Sequence, residues 1–249
     1  RHRECALHLL DSVVSSASVS RRAFHSLCGL LSFLSPVIRA SRPFLRPLWN
    51  FLKILRVGGP RKVPRRLLND LAWWRKEVAS ISPERPSRWV NHSASPVATI
   101  ATDASGDQGC GVWHEQRLFS HRWSEDQISA SVPYKELWPI VRFLKRFGPE
   151  LRARWNGRPG ILHVLTDSLT NAHAVNAGSS ASPACSRLLR EAAELQREFE
   201  VDLVVEWVPR EFNVVPDLLS KFFIHGEPLT LGRQVFSARP RLSPSRPSS

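Results

Sequence analysis

Four acidic residues stand in settings where carboxylates do chemistry. Asp103 and Asp167 each close an apolar run, in Thr102-Asp103-Ala104-Ser105 and Thr166-Asp167-Ser168. In open α/β sheets, ligands bind beyond the carboxyl ends of the strands. An Asp at such a place also caps a following turn or helix, so either residue alone is ambiguous, and the matched pair favours a site. Glu136 lies in Tyr134-Lys135-Glu136-Leu137-Trp138-Pro139-Ile140-Val141. At helical spacing it shares a side with Ile140, Phe143 and Phe147. A carboxylate on an apolar stripe is costly unless a cation or partner compensates it; a Glu at the rim of the stripe, reaching solvent, is the plainer alternative. Asp217 opens the last helical segment after Asn213-Val214-Val215-Pro216, where an acid also meets the helix dipole favourably. Three Asp and one Glu so placed suit two hard divalent cations, Mg2+ or Mn2+, about 3.5–4 Å apart. Cations held this way activate water and stabilise the leaving oxygen of a phosphodiester, so no Ser or His nucleophile is required.

These carboxylates need a sheet and helices to hold them. After residue 96 the pattern alternates strands and helices. Strands are expected at Val97–Asp103, Cys110–Glu115, Arg117–Trp123, Ile161–Asp167 and Asp202–Val208, and helices at 133–147, 169–177, 184–199 and Pro216–Phe223. Ile161–Asp167 is almost unbroken in apolar character, as a central strand covered on both faces would be. Pro139 removes a helical hydrogen bond and predicts a kink. The first 80 residues read as helical and proline-punctuated. One run starts at Ser20, a candidate N-cap, and stops at Pro36. A second spans Pro43–Leu55 and a third runs from about Pro64 to Ala79. The division is therefore a basic helical region over 1–80, a Pro/Ser/Arg linker over 81–96, an α/β domain over 97–223 and an Arg/Pro/Ser tail over 224–249 too poor in apolar surface to fold.

Charge follows the same division. The net +13 is made of +12 over residues 1–92, −2 over 93–223 and +3 over 224–249, which suggests a polyanion-binding part joined to a part that gathers acids. Arg42, Arg46, Arg65 and Arg66 are candidate phosphate contacts in the basic part; solvated surface arginines are the bland alternative. Cys5, Cys28, Cys110 and Cys185 lack metal-ligand spacing and read as small buried residues of a reducing compartment. No segment is long and apolar enough to span a bilayer and no secretory leader is visible, so an intracellular place, cytoplasm or nucleus, is expected. The chain has no methionine and opens at Arg1, which reads as a fragment of a longer protein. Trp113, Trp123, Trp138 and Trp207 read mostly as core or half-buried strand residues rather than nucleotide-stacking platforms.

Taken in order, TDASGDQGCGVW, YKELWPIV, VLTDS and WVPREFNVVPDLLSKF resemble the ribonuclease H domain of retroelement reverse transcriptases, with the nearest likeness to elements of the DIRS kind. Their closing motif typically runs P-x-x-x-N-x-x-A-D-x-L-S-R; here Pro209 to Lys221 fills it, with Pro216 in place of the Ala. The stretch from Leu27 to Leu48 resembles the polymerase thumb and connection that precede that domain, and the polymerase palm with its paired aspartates is missing. The resemblance implies a ribonuclease H-like mixed five-stranded sheet with flanking helices, preceded by a small helical region. It implies cleavage of the RNA strand of an RNA–DNA hybrid, two Mg2+ (or Mn2+) ions held by Asp103, Glu136, Asp167 and Asp217, and an upstream polymerase portion as partner. Asp103 would face both metals. Ser105, Ser168, Asn171 and Asn213, in or beside the motifs, are the matching candidate nucleic-acid contacts. Ser168 stands where related elements often carry Asn, and no His lies between Trp207 and Asp217. A catalytically decayed nucleic-acid-binding module of the same fold is the alternative, favoured by Pro139.

Overall fold

A computed structural model of the chain describes residues 1–16, 18–38, 40–55, 59–81, 96–115 and 117–221. The expected tail, and all of the expected linker except Ile81 and Pro96, lie outside the described residues.

Five strands, β1 (Val97–Ala104), β2 (Gly109–His114), β3 (Arg117–Arg122), β4 (Gly160–Thr166) and β5 (Val201–Trp207), form one sheet in the order β3-β2-β1-β4-β5. The first three run antiparallel, and β1, β4 and β5 are parallel neighbours. The parallel pairs need crossover helices. Helix α6 (Val132–Arg154), preceded by the short α5 (Glu125–Ile128), leads from β3 to β4; α7 (Leu169–Ala177) and α8 (Pro183–Glu198) lead from β4 to β5; α9 (Val214–Lys221) follows β5. This is a mixed five-stranded sheet with flanking helices, the architecture expected from the sequence.

The core between the sheet and α6–α8 is built from Ile100, Leu162, Val164 and Val205 on the strands and Leu137, Ile140, Leu144, Leu188 and Leu189 on the helices. Helix α6 runs on through both Pro139, where a kink is expected, and Pro149. An interior Pro costs about 3 kcal/mol, whereas burying each Leu, Ile, Val or Phe gains about 1.5–3 kcal/mol, and α6 buries Leu137, Ile140, Val141, Phe143, Leu144 and Leu151. Packing wins.

The helical region comprises α1 (His2–Ser15), α2 (Arg21–Leu34), α3 (Arg46–Ile54) and α4 (Arg65–Ser80). The Ser20 hydroxyl caps α2 by accepting from the Ala23 amide at 3.3 Å. The helix expected over Pro43–Leu55 is split into a 3₁₀ turn, Arg42–Phe44, and α3. Pro47 in the first turn of α3 explains the break, since its ring excludes a helix continuing from before it. Of the cysteines, Cys28, Cys110 and Cys185 are buried and unpaired, but Cys5 is exposed, contrary to expectation.

The helical region has its own core, around Phe24, Leu27, Leu31, Leu48, Leu71 and Trp74, and one residue of α8, Ala193, belongs to it. Two ion pairs cross the same seam. Arg190 meets Asp70 at 2.7 Å, and Arg197 meets Glu77; both acids are buried. The guanidinium of Arg190 also lies 5.5 Å from the centre of the Phe44 ring, and that of Arg197 5.1 Å from Trp73.

Candidate metal centre

Strand register brings the first two acids together. Thr102 of β1 lies opposite Thr166 of the parallel β4, so the next residues, Asp103 and Asp167, leave neighbouring strands at the same level. On the other side of β1, Asp103 faces Gly111 of β2. Gly111 stands where there is no room for a side chain. A Cβ there would strike the Leu219 side chain, the Pro216 carbonyl and the Ser220 amide, all within 2.9 Å. The bare backbone lets α9 lie directly on β2 and β1, and this approach carries Asp217 toward Asp103.

Glu136 comes from α6, and its neighbour helps to place it. The buried Lys135 donates to the Gly106 carbonyl and, at 2.6 Å, to the Ile128 carbonyl, pinning α6 to the β1–β2 loop. The carboxylate oxygens of Asp103, Glu136 and Asp167 then lie within 4.8 Å of one another. Asp103 and Glu136 are buried and Asp167 is half-buried. Glu136 does not reach solvent at the rim: its Oε2 is buried without a hydrogen-bond partner.

The electrostatics record the strain of this gathering. Burial, with the Asp167 and Asp217 charges adding to it, raises the Asp103 carboxyl to about 6, although the Ser220 hydroxyl pulls the other way. Burial and the charges of Asp103 and Asp167 raise Glu136 to about 9. Asp217 differs. Burial pulls it upward, but hydrogen bonds from Lys221 and Arg210 outweigh this and hold it below the ordinary carboxylate value. Arg210 meets its Oδ1 at 2.7 Å and Lys221 its Oδ2 at 2.6 Å. Asp217 thus adjoins the three-carboxylate cluster without being one of its members.

An all-oxygen cluster with one orphaned buried oxygen and two carboxyls pushed up by burial and, after it, by neighbouring charge fits a hard divalent cation. A cation would satisfy the orphan and return both acids to their ionised form.

The other expected contacts fall in different places. The Ser105 hydroxyl accepts from the Gln108 and Gly109 amides at 3.0 and 2.7 Å, so it shapes the turn beside Asp103. Ser168 is half-buried at the start of α7, and its hydroxyl makes no cap bond. Asn171 and Asn213 are each 1% exposed and brace the site from within. Asn171 donates to the Pro133 carbonyl at 3.0 Å and ties α7 to the start of α6. Asn213 donates to the Thr102 carbonyl at 2.9 Å and ties the approach to α9 onto β1. Arg42 reaches across to the last turn of α7, at the Asn176 carbonyl (3.3 Å), and Arg46 to the loop after it, at the Ser179 hydroxyl (2.6 Å). Gly178, at φ +61°, makes this close approach possible, because a Cβ there would press on Arg42 and Pro43. Arg65 and Arg66 are exposed in the first turn of α4.

Three residues at the site carried no assigned role in the sequence reading, Lys135, Arg210 and Lys221, and a fourth, Trp207, was read as core or half-buried strand. Lys221 was recoverable, since it stands four residues after Asp217 on one helix. Trp207 is 46% exposed, unlike the largely enclosed Trp123, and its indole donates to the Asp167 carbonyl at 3.0 Å. No spacing rule points to that bond or to Arg210, which depend on how the β5–α9 connection folds back.

No protein-family model matches the chain, and no curated protein matches it. Solved structures do resemble it. One is LC11-RNase H1 in complex with RNA/DNA hybrid, at 19% identity and TM-score 0.39, covering 49% of this chain and 91% of that one. Another is the N-terminal RNase H domain of Rv2228c from Mycobacterium tuberculosis, fused to maltose binding protein, at 21% identity and TM-score 0.38, covering 50% and 91%. The foamy viral protease-reverse transcriptase in complex with RNA/DNA hybrid aligns over 90% of this chain but 30% of its own length, at 13% identity and TM-score 0.31.

Proposed function

We propose that this chain is a metal-dependent endonuclease that cleaves the RNA strand of RNA–DNA hybrids, and that it works as the C-terminal part of a DIRS-like retroelement reverse transcriptase beside an upstream polymerase portion. The observation that carries this reading is the convergence of Asp103, Glu136 and Asp167 within 4.8 Å, with a buried Glu136 oxygen left for a ligand.

In this reading Asp103, central in the cluster, would face both of two Mg2+ or Mn2+ ions. Glu136 and Asp167 would hold them from either side, and Asp217 would join by giving up one of its two cationic partners. Bound cations supply the charge that activates a water and offsets the leaving oxygen. The residues themselves do the positioning. Lys135 and Asn171 fix α6 and hence Glu136; Trp207 holds the backbone of Asp167; Asn213 and Gly111 set α9. Ser105 and Ser168 flank the two aspartates, where the sugar–phosphate backbone of a bound strand would pass. Arg65, Arg66, Arg42 and Arg46 would add phosphate contacts outside the acidic cluster. The uninterrupted α6 favours an active site over a decayed one, because Pro139 does not displace Glu136.

The test is incubation of the purified chain with labelled RNA–DNA hybrid, duplex DNA and single strands, in Mg2+ or Mn2+. Cleavage is expected in the RNA of the hybrid and is expected to vanish in Asp103→Asn, which keeps the shape but removes charge the cations need. Activity that persists in EDTA, or is unchanged in Asp103→Asn, refutes the reading.

A further inference from the structure

Strand β5 lies at the edge of the sheet, with β4 on one side only, and an edge is where a sheet recruits further strands. The Val208 amide donates to the Thr166 carbonyl at 2.9 Å. By alternation, Leu203, Val205 and Trp207 therefore turn their amides and carbonyls away from β4. The strand reads Val-Asp-Leu-Val-Val-Glu-Trp, rich in branched apolar residues and without Lys, Arg or Pro, which are common means of blunting an edge. The opposite edge strand, β3, carries Arg117 and Arg122.

Two side chains occupy the outward groups of β5. Asn176, in the last turn of α7, donates through Nδ2 to the Val205 carbonyl at 2.7 Å and accepts through Oδ1 from the Val205 amide at 3.1 Å. Gln196 of α8 accepts from the Leu203 amide at 3.0 Å. Exchange of both bonds with a single residue is what a neighbouring antiparallel strand makes at a hydrogen-bonded pair. Asn176 thus sets a side-chain amide where a peptide group of another strand would stand. Asn176 is itself exposed. Water could satisfy its amide equally well, so the group that gains from the pairing is the edge. The helical region holds this residue in place, because Arg42 donates to the Asn176 main-chain carbonyl at 3.3 Å.

We infer that Asn176 and Gln196 form a surrogate strand that seals β5, and that the partner they exclude is a second copy of this chain adding its own β5. An edge of one sequence is complementary to itself when two copies meet antiparallel across a twofold axis, each offering the amides and carbonyls of Leu203 and Val205. This inference is independent of the nuclease reading.

The experiment uses the full chain, 15N-labelled, as wild type, Asn176→Ala, Gln196→Ala, the double variant, and Val204→Lys alone and added to the double variant. Amide exchange is followed residue by residue, and self-association by sedimentation across a concentration series. In Asn176→Ala the Val205 amide should exchange about tenfold faster, the scale of one lost hydrogen bond, with Leu203 little changed. In Gln196→Ala the order should reverse. The double variant should associate more strongly than wild type as concentration rises. Each single variant should do so more weakly, which keeps the comparison if the double variant does not fold. Val204→Lys puts a charge on the edge and should return the double variant to wild-type sedimentation while both amides stay fast. Unchanged exchange at Val205 in Asn176→Ala would remove the seal. Fast exchange with wild-type sedimentation would mean that the opened edge takes no second copy, and association that survives Val204→Lys would place the contact elsewhere. Wild type whose own association is lowered by Val204→Lys would show the edge already open. Each of these results overturns the inference.

Discussion

Replacing Glu136 by Gln should stabilise the metal-free protein, and the effect should grow with pH. Glu136 is 8% exposed, and its folded carboxyl is raised from 4.5 to about 9 by burial and by the neighbouring Asp103 and Asp167. In the unfolded chain it ionises near its ordinary value, so between these two pKa values the folded state holds a proton that the unfolded state has lost. Stability from this group is complete below about pH 4.5 and falls as pH rises toward 9. At pH 7 the interval is about two and a half units at about 1.4 kcal/mol each, or about 3 kcal/mol. Gln carries no such cost and imitates the protonated acid, with an NH2 group able to donate to Asp103 or Asp167.

For a chain of this size, about 3 kcal/mol corresponds to a rise in Tm of roughly 6–12 °C. The assay is thermal unfolding of wild type and Glu136→Gln in EDTA from pH 4.5 to 8.5. The variant should match wild type at the acid end and melt increasingly higher above it. Saturating Mg2+ should then close or reverse the gap at neutral pH, because the cation favours the ionised Glu136 and the variant has lost a ligand. A variant that melts lower than wild type at pH 7 in EDTA, or a gap independent of pH, would show that Glu136 is accommodated by some means other than protonation, and the argument for a strained cluster would fail.

Three other perturbations test the scaffold. Gly111→Ala forces a methyl into the backbone of α9 and should cost about 1–3 kcal/mol, with hybrid cleavage falling further than stability because Asp217 is moved; unchanged unfolding and turnover would contradict the close approach. Arg190→Met leaves Asp70, 6% exposed at its side chain, buried without its cation and should cost about 3 kcal/mol at neutral pH, while adding Asp70→Leu to it should restore most of the loss; a lone Arg190→Met that melts like wild type would mean the seam is not held there. Arg65→Gln with Arg66→Gln should leave Tm unchanged or slightly raised, since cations at a helix start oppose its dipole, yet should weaken hybrid binding in Ca2+ and flatten its salt slope by up to about 0.9 per lost phosphate contact; an unchanged slope would return both to plain surface arginines.

Much of the site's position was legible because it depends on strand ends and period. Asp103 and Asp167 close apolar runs, and their matched Thr-Asp settings anticipated the register that places them side by side. Glu136 was legible as an acid on an apolar stripe; whether it reached solvent was not, since that depends on how far α6 overlies the sheet. How α6 accommodates Pro139 was not legible, because the packing that outweighs one lost hydrogen bond lies outside any local rule. The bracing bonds of Asn171 and Asn213 were illegible for a related reason. Their polar side chains are turned inward onto carbonyls of other elements, and those bonds span 38 and 111 residues of sequence, beyond any spacing rule. The seam between the helical region and α8 was equally hidden, because Arg190 lies 120 residues from Asp70 in sequence, again beyond any spacing rule.

That seam changes what the uneven charge can do. A basic region joined to an acidic one by a linker alone would raise the local concentration of a bound polyanion without aiming it. Here Asp70 and Glu77 fasten α4 to α8, and Arg42 and Arg46 fasten the turn before α3 and its first residue to the last turn of α7 and the loop after it. Asp167 immediately precedes the start of α7, and Asn176 lies near its end. Nine helical residues span about 14 Å, which on a nucleic-acid strand is about four phosphates. Arg42 and Arg46 each spend one hydrogen bond on the loop, and a guanidinium has five donors, so both keep capacity for phosphate oxygens. A strand entering the acidic cluster along α7 would therefore meet fixed positive charge a few nucleotides from the scissile bond. The distance is set by one short helix and two buried ion pairs, and loosening either pair should degrade where the strand is cut before it degrades how tightly the strand is held.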